Sequence, residues 1–93
     1  MPPLTPRERS FLKARAHVLE PTVHVGQDGL SGAVLREIDR ALTAHELIKV
    51  RAGGDDRNAR RALLESICAR TGAEAVQHVG KVFVLWRPRP HDE

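Results

Sequence analysis

The sequence predicts an α/β domain, a small mixed four-stranded sheet packed with three helices in the order α-β-α-β-α-β-β. Three observations carry this. Three segments repeat apolar residues at helical spacing, and each follows a capping signal: Thr5, Ser31, or the acids Asp55 and Asp56. A strand, a helix and a second strand follow one another between residues 22 and 51, which implies a parallel pair joined by a crossover. Gly80-Lys81 separates two apolar stretches as a two-residue hairpin turn.

The first helix opens at Thr5-Pro6-Arg7-Glu8, with Thr5 as N-cap, Pro6 at the first helical position and Glu8 closing a capping box. It is expected to run to about His17. Leu4, Phe11, Leu12 and Leu19 share one arc and read as its buried side. Arg9, Lys13 and His17 recur four apart on the opposite side, as either a solvated face or a phosphate-contacting edge. Arg15 falls inside the apolar arc and is expected to extend its guanidinium outward.

Pro21 ends the helical tendency, and residues 22–25 form the first strand. Val23-His24-Val25-Gly26-Gln27-Asp28-Gly29-Leu30-Ser31 then runs from strand through turn into helix. In that second helix, Gly32 to His45, Val34, Leu35, Ile38, Ala41 and Leu42 face inward and Arg36, Asp39, Arg40 and Thr43 outward. Ser31 is the N-cap, and Leu30 with Leu35 forms a hydrophobic staple. The two glycines permit close approach of backbone or ligand, and the helix start offers free N–H groups to a phosphate. Taken alone, Gly-x-x-Gly marks a turn as readily as a ligand site. It is neither a Walker-type phosphate loop nor a dinucleotide fingerprint.

Residues 47–51 alternate and form the second strand, with Leu47 or Ile48 inward. Gly53 and Gly54 lie in a loop. Asp55 and Asp56 are better read as helix-capping acids than as metal ligands. In the third helix, residues 57–70, Ala59, Leu63 and Ile67 are assigned inward, Arg61 and Glu65 are spaced to pair, and Gly72 is the C-terminal cap. Residues 75–79 and 82–86 make the hairpin. The unbroken run Val82, Phe83, Val84, Leu85 and Trp86 demands a strand covered on both faces or central. The Pro-rich charged stretch 87–93 reads as a frayed end, and the single domain is placed at residues 1–88 with 89–93 flexible.

The chemistry of an enzyme is missing from the pattern. Five histidines are scattered with no H-x-x-x-H spacing, and the single cysteine, Cys68, has no partner for a zinc site or an internal disulfide. His24, alternating with valines, reads as a half-exposed strand residue. No serine lies in a G-x-S-x-G context. No metal, cofactor or small-molecule substrate is expected. The lone cysteine suits a reducing compartment, and no apolar run approaches membrane-spanning length, so the expectation is a cytoplasmic protein that does not engage membranes. The formal charge is +3 and arginine outnumbers lysine twelve to three, a balance that favours a polyanionic partner through bidentate phosphate contacts. Only Phe11, Phe83 and Trp86 are aromatic, too few for the paired stacking residues of an RNA-recognition-motif sheet; Trp86 reads as a core residue.

"L-E-P-T-V-H-V-G-Q-D-G-L-S", "H-E-L-I-K-V" and "H-V-G-K-V-F-V-L-W-R-P" stand in this order, and together they resemble the bacterial YhbY family, the stand-alone form of the CRM domain. The likeness runs from about Leu4 to Pro88. It implies a fold like the C-terminal domain of translation initiation factor 3, and an RNA-binding module that associates with precursors of the large ribosomal subunit. The family's glycine loop is likened to that of KH domains. Relatives commonly carry lysine at the loop tip, where this chain has Gly26-Gln27-Asp28-Gly29. Gln27 still donates to phosphate, whereas Asp28 opposes it. The burden of binding is therefore expected on Arg36 and Arg40 of the second helix, Lys49 and Arg51 of the second strand, and Arg9 and Lys13 of the first helix. The expected function is non-enzymatic RNA binding in large-subunit assembly, holding rRNA or its precursor by phosphate and 2′-hydroxyl contacts. The competing reading is a protein–protein adaptor with incidental affinity for nucleic acid.

Overall fold

The structure of the chain is a computed structural model describing residues 4–26 and 28–89, so expectations for Gln27 and for residues 90–93 lie outside the described residues. The elements follow the expected order: α1 (Pro6–Ala16), β1 (Pro21–Val25), α2 (Gly32–His45), β2 (Leu47–Ala52), α3 (Arg57–Thr71), β3 (Glu74–Val79) and β4 (Val82–Trp86). The sheet order is β1-β2-β4-β3, with β1 and β2 parallel and the other neighbours antiparallel. The strand with the unbroken apolar run, β4, is central, as its composition requires.

The strand period of two divides the core into two layers. Val23, Val25, Ile48, Val50, Ala52, Phe83 and Leu85 point to one side and bury Ile38 and Leu42 of α2 with Leu64 and Ile67 of α3. Leu47, Val76 and Val84 point to the other and bury Leu12 and Ala16 of α1, with Leu4, Leu19 and Trp86 packed around them. Leu47 and Ile48 are thus both buried, one on each face. The sheet lies between α1 and the α2–α3 layer.

The capping chemistry is as the sequence implies. Glu8 donates its backbone N–H to Thr5 Oγ1, and the Thr5 N–H returns a bond to the Glu8 carboxylate at 2.9 Å. That backbone N–H, with the Thr5 side chain, holds the Glu8 carboxyl below its ordinary pKa. Ser31 Oγ accepts from the Val34 N–H, Asp56 accepts from Asn58 and Ala59, and Gly72 closes α3 at φ 76°. Gly80 supplies the positive φ (56°) at the first hairpin position while Lys81 stays negative, the signature of the type II′ turn.

Four expectations are corrected. The inward side of α1 is Arg9, Leu12 and Ala16, while Phe11 is 62% exposed. The cause is a β-bulge in β3, whose register slips between Ala75 and Gln77. The Ala75 and Val76 carbonyls there receive the Arg9 guanidinium (3.2 Å to Val76 O), so a charged residue turns inward and Phe11 turns out. In α3, Ala59 is exposed and the inward residues are Leu63, Leu64, Ile67 and Thr71. Arg61 and Glu65 do not pair; among the described residues the ion pairs are Lys81–Asp55 and Arg87–Asp39.

The fourth correction concerns the frayed end, because Arg87 is fastened. Its guanidinium donates to the Asp39 carboxylate (2.6 Å), Thr71 O (2.7 Å) and Thr43 Oγ1 (2.9 Å), joining the ends of α2 and α3. Glu46, at φ 66° after α2, is the non-glycine residue with positive φ among the described residues. It accepts the Arg87 N–H on its backbone carbonyl (2.9 Å) and the Arg89 N–H on its carboxylate (2.7 Å). The Arg89 side chain caps the Thr43 and Ala44 carbonyls that end α2.

Candidate nucleic-acid interface

Helix α1 covers only part of its side of the sheet. Register aligns Val79, Val82, Arg51 and His24 across the four strands as one row, and Gln77, Val84, Lys49 and Pro21 as the next. Buried Val23 and Val25 point to the α2–α3 side, so His24 between them points to the α1 side. By the same alternation Lys49 and Arg51 share that side with buried Leu47. Lys13 and His17, on one flank of α1, stand over these rows and close a cleft of about 360 Å³ with Lys49, Gln77, Val79 and Val82. The Lys49 ammonium donates to Leu19 O at 3.0 Å, which fixes it over the sheet and leaves two of its three donors for a ligand. The result is an open half-sheet with an aliphatic floor and Lys13, His17, Lys49, Arg51 and His24 around it.

Three of the cations expected from sequence, Lys13, Lys49 and Arg51, therefore meet on one face. Arg36 and Arg40 do not join them. They line a shallow groove with Asp39 and Thr43 on the outer side of α2, in the opposite layer. Arg9 is taken up by the β3 bulge carbonyls. Sequence reasoning set His17 with Lys13 on a possible phosphate-contacting edge but did not place it beside Lys49, and it missed His24 as the neighbour of Arg51; the signal for His24 was its alternation with two valines on a strand parallel to β2.

The glycine loop lies at the end of this face. Gly29 donates to Gly26 O at 3.1 Å, closing a turn, and takes φ 85°, so glycine is required there by conformation. Gly26 has no positive φ, and an added Cβ would meet nothing within 4 Å, so the fold does not demand glycine at that position. Gly53 donates to Val25 O (2.8 Å) and Ala52 to Lys81 O (2.7 Å), bringing the loop, the start of α3 and the hairpin turn to one end of the sheet. That end is acidic: Asp28, Asp55 and Asp56 are exposed. Two of its cations are occupied, Arg60 on Gly54 O and Gly80 O and Lys81 on Asp55, while Arg57 at the start of α3 is exposed.

Asp28 carries no capping role, since Ser31 caps α2. Against a phosphate about 6 Å away in water, it costs about 0.7 kcal/mol, and a lysine reverses the sign for a swing of about 1.4 kcal/mol before screening. Asp28→Lys is expected to tighten binding of a polyanion about threefold at physiological salt and nearly tenfold at low salt. Titrations at two ionic strengths, with a melting curve as control, check this.

The described residues contain no group of three His, Cys, Asp or Glu side chains placed to hold a metal ion, and no helix among them is long and apolar enough to cross a membrane. Burial, and secondarily the Glu74 charge, push the Cys68 thiol up to about 11, so little nucleophilic thiolate exists at neutral pH. His78 packs edge-on against Phe83 at 4.9 Å, a structural contact.

Comparison with known proteins agrees with this architecture. The family model for the CRS1/YhbY (CRM) domain matches residues 4–87. A Haemophilus influenzae protein named "RNA-binding protein" is 43% identical over 88 residues, spanning 95% of this chain and 89% of the relative. A Pseudomonas aeruginosa protein named "Probable RNA-binding protein" is 40% identical over 87 residues, spanning 94% and 84% respectively. The solution structure of a hypothetical protein from Staphylococcus aureus superposes with a TM-score of 0.84 at 28% identity, covering 97% of this chain and 94% of that one.

Proposed function

The chain belongs to the CRS1/YhbY (CRM) domain family, and from that premise we propose that it is a non-enzymatic RNA-binding protein of the cytoplasm that assists assembly of the large ribosomal subunit. The observation that carries the binding mode is the open half-sheet with Lys13, Lys49 and Arg51 on one face. Two cations two residues apart on β2, with a third on the helix beside them, suit successive phosphates of a structured RNA. Base readout by stacking on the sheet is disfavoured, because Phe83 is fully buried on the opposite face and Trp86 packs against the α1 cluster. Contacts to phosphates and 2′-hydroxyls of folded rRNA follow as the mode of recognition. The Gly26–Gly29 turn, at the end of the same face, admits a backbone to close range but brings an acidic tip with it. The names of the relatives support RNA as the ligand. The family resemblance supports the large-subunit precursor as its source.

Sedimentation of a lysate at low salt tests the biological setting. The protein should travel with immature large-subunit particles, be scarce on translating ribosomes, and leave the particles when salt is raised. Its confinement to the top of the gradient at low salt contradicts the assembly role.

A further inference from the structure

The other flank of α1 carries an exposed aromatic ring that the cationic face does not use. Phe11 is 62% exposed, and Val18, two residues past the end of the helix, is 82% exposed. The Arg15 guanidinium lies over the Phe11 ring, 5.8 Å from its centroid, within the range of a cation–π contact. Helical spacing sets Phe11 and Arg15 on one flank and Lys13 and His17 on the other, with Arg7, Ser10 and Ala14 along the crest between them. The route from the Lys13 cleft over Ser10 and Ala14 leads to an aromatic ring already backed by a guanidinium.

We infer that Phe11 and Arg15 form a stacking platform for one unpaired base of the bound RNA. The platform presupposes the RNA-binding reading above and adds to it a preference for stems interrupted by a bulged nucleotide. An extruded base offers its π-face to the ring while its phosphates remain near Lys13 and Arg15, which is how aromatic and arginine side chains take unpaired bases in RNA. The cationic surroundings favour this occupant over a protein segment. Arg7, Lys13 and Arg15, the exposed cations of the helix, outnumber Glu8, and Glu8 is held in the capping box.

The test compares two RNA hairpins with the same stem, one carrying a single bulged adenosine. The native protein should bind the bulged stem about tenfold more tightly. Phe11→Ala and Phe11→Leu should erase that preference while binding the unbroken stem as before, and Phe11→Trp should retain it. Both losses should occur without change in the far-ultraviolet circular dichroism, since the ring is exposed. Equal affinity of the native protein for the two hairpins overturns the platform while leaving RNA binding intact. So does a preference that survives Phe11→Ala. Failure to bind either hairpin overturns the RNA reading and the platform with it. Dissociation of a dimer by Phe11→Ala assigns the ring to a second copy of the chain and overturns the proposal.

Discussion

Replacing Lys13, Lys49 and Arg51 together with alanine is expected to lower affinity for a structured rRNA stem by about two orders of magnitude at low salt. Each removed cation forfeits a charge-assisted bond to phosphate worth about 1 kcal/mol after exposure to solvent is allowed for. The salt dependence should flatten in step, with the slope of log affinity against log salt falling by about two to three units, one per lost phosphate contact. Arg36→Ala with Arg40→Ala removes as much charge per residue but from the opposite layer, and should keep affinity within about threefold. Lys13 and Arg51 are exposed, and Lys49 gives up one hydrogen bond to Leu19 O, so the triple variant should melt within several degrees of the native protein. Equal losses from the two variants would mean that net charge, not the sheet face, governs binding.

Phe83→Ala is the second large effect. The ring is fully buried at the centre of the sheet's α2–α3 side and meets His78 edge-on. Deleting it costs about 4 kcal/mol in lost transfer energy and residual cavity. A domain of this size holds about 5–14 kcal/mol in all, so most of the stability is consumed. The melting temperature should fall by about 15–30 °C. Phe83→Leu, which refills part of the space, should recover more than half of that loss. A melting temperature within a few degrees of native for Phe83→Ala would contradict the packing described here.

The elements were legible in the sequence because capping residues, turn glycines and apolar periods agreed with one another at every boundary. The face of α1 was not. Leu12 and Ala16 mark it weakly, and the third inward residue is Arg9, whose partner is a bulge in a strand more than sixty residues away. No local pattern announces a bulge, so the arginine read as surface and Phe11 as core. In α3 the same difficulty arose from alanines, which sit equally well on either side of a helix. Arg87 read as part of a loose end because its partners, Asp39, Thr43 and Thr71, lie on two different helices.

The candidate site divides along similar lines. Lys49 and Arg51 were readable from strand alternation alone. That Lys13 stands beside them, and Arg36 and Arg40 behind the sheet, depends on which helix packs on which face. The order of elements does not fix that choice, whereas side-chain packing does: Leu12 and Ala16 meet Leu47, Val76 and Val84, and Ile38 and Leu42 meet the other side.

The measurement that bears most directly on the cationic half-sheet is a nuclear magnetic resonance titration of the isotope-labelled chain with an rRNA stem. Backbone amides of Lys13, His24, Lys49, Arg51 and Val82 should shift together and saturate with a single affinity, and those of Arg36 and Arg40 should stay in place. Shifts concentrated on the outer side of α2, with Lys49 and Arg51 unmoved, would contradict the assignment of the RNA-binding surface to the sheet.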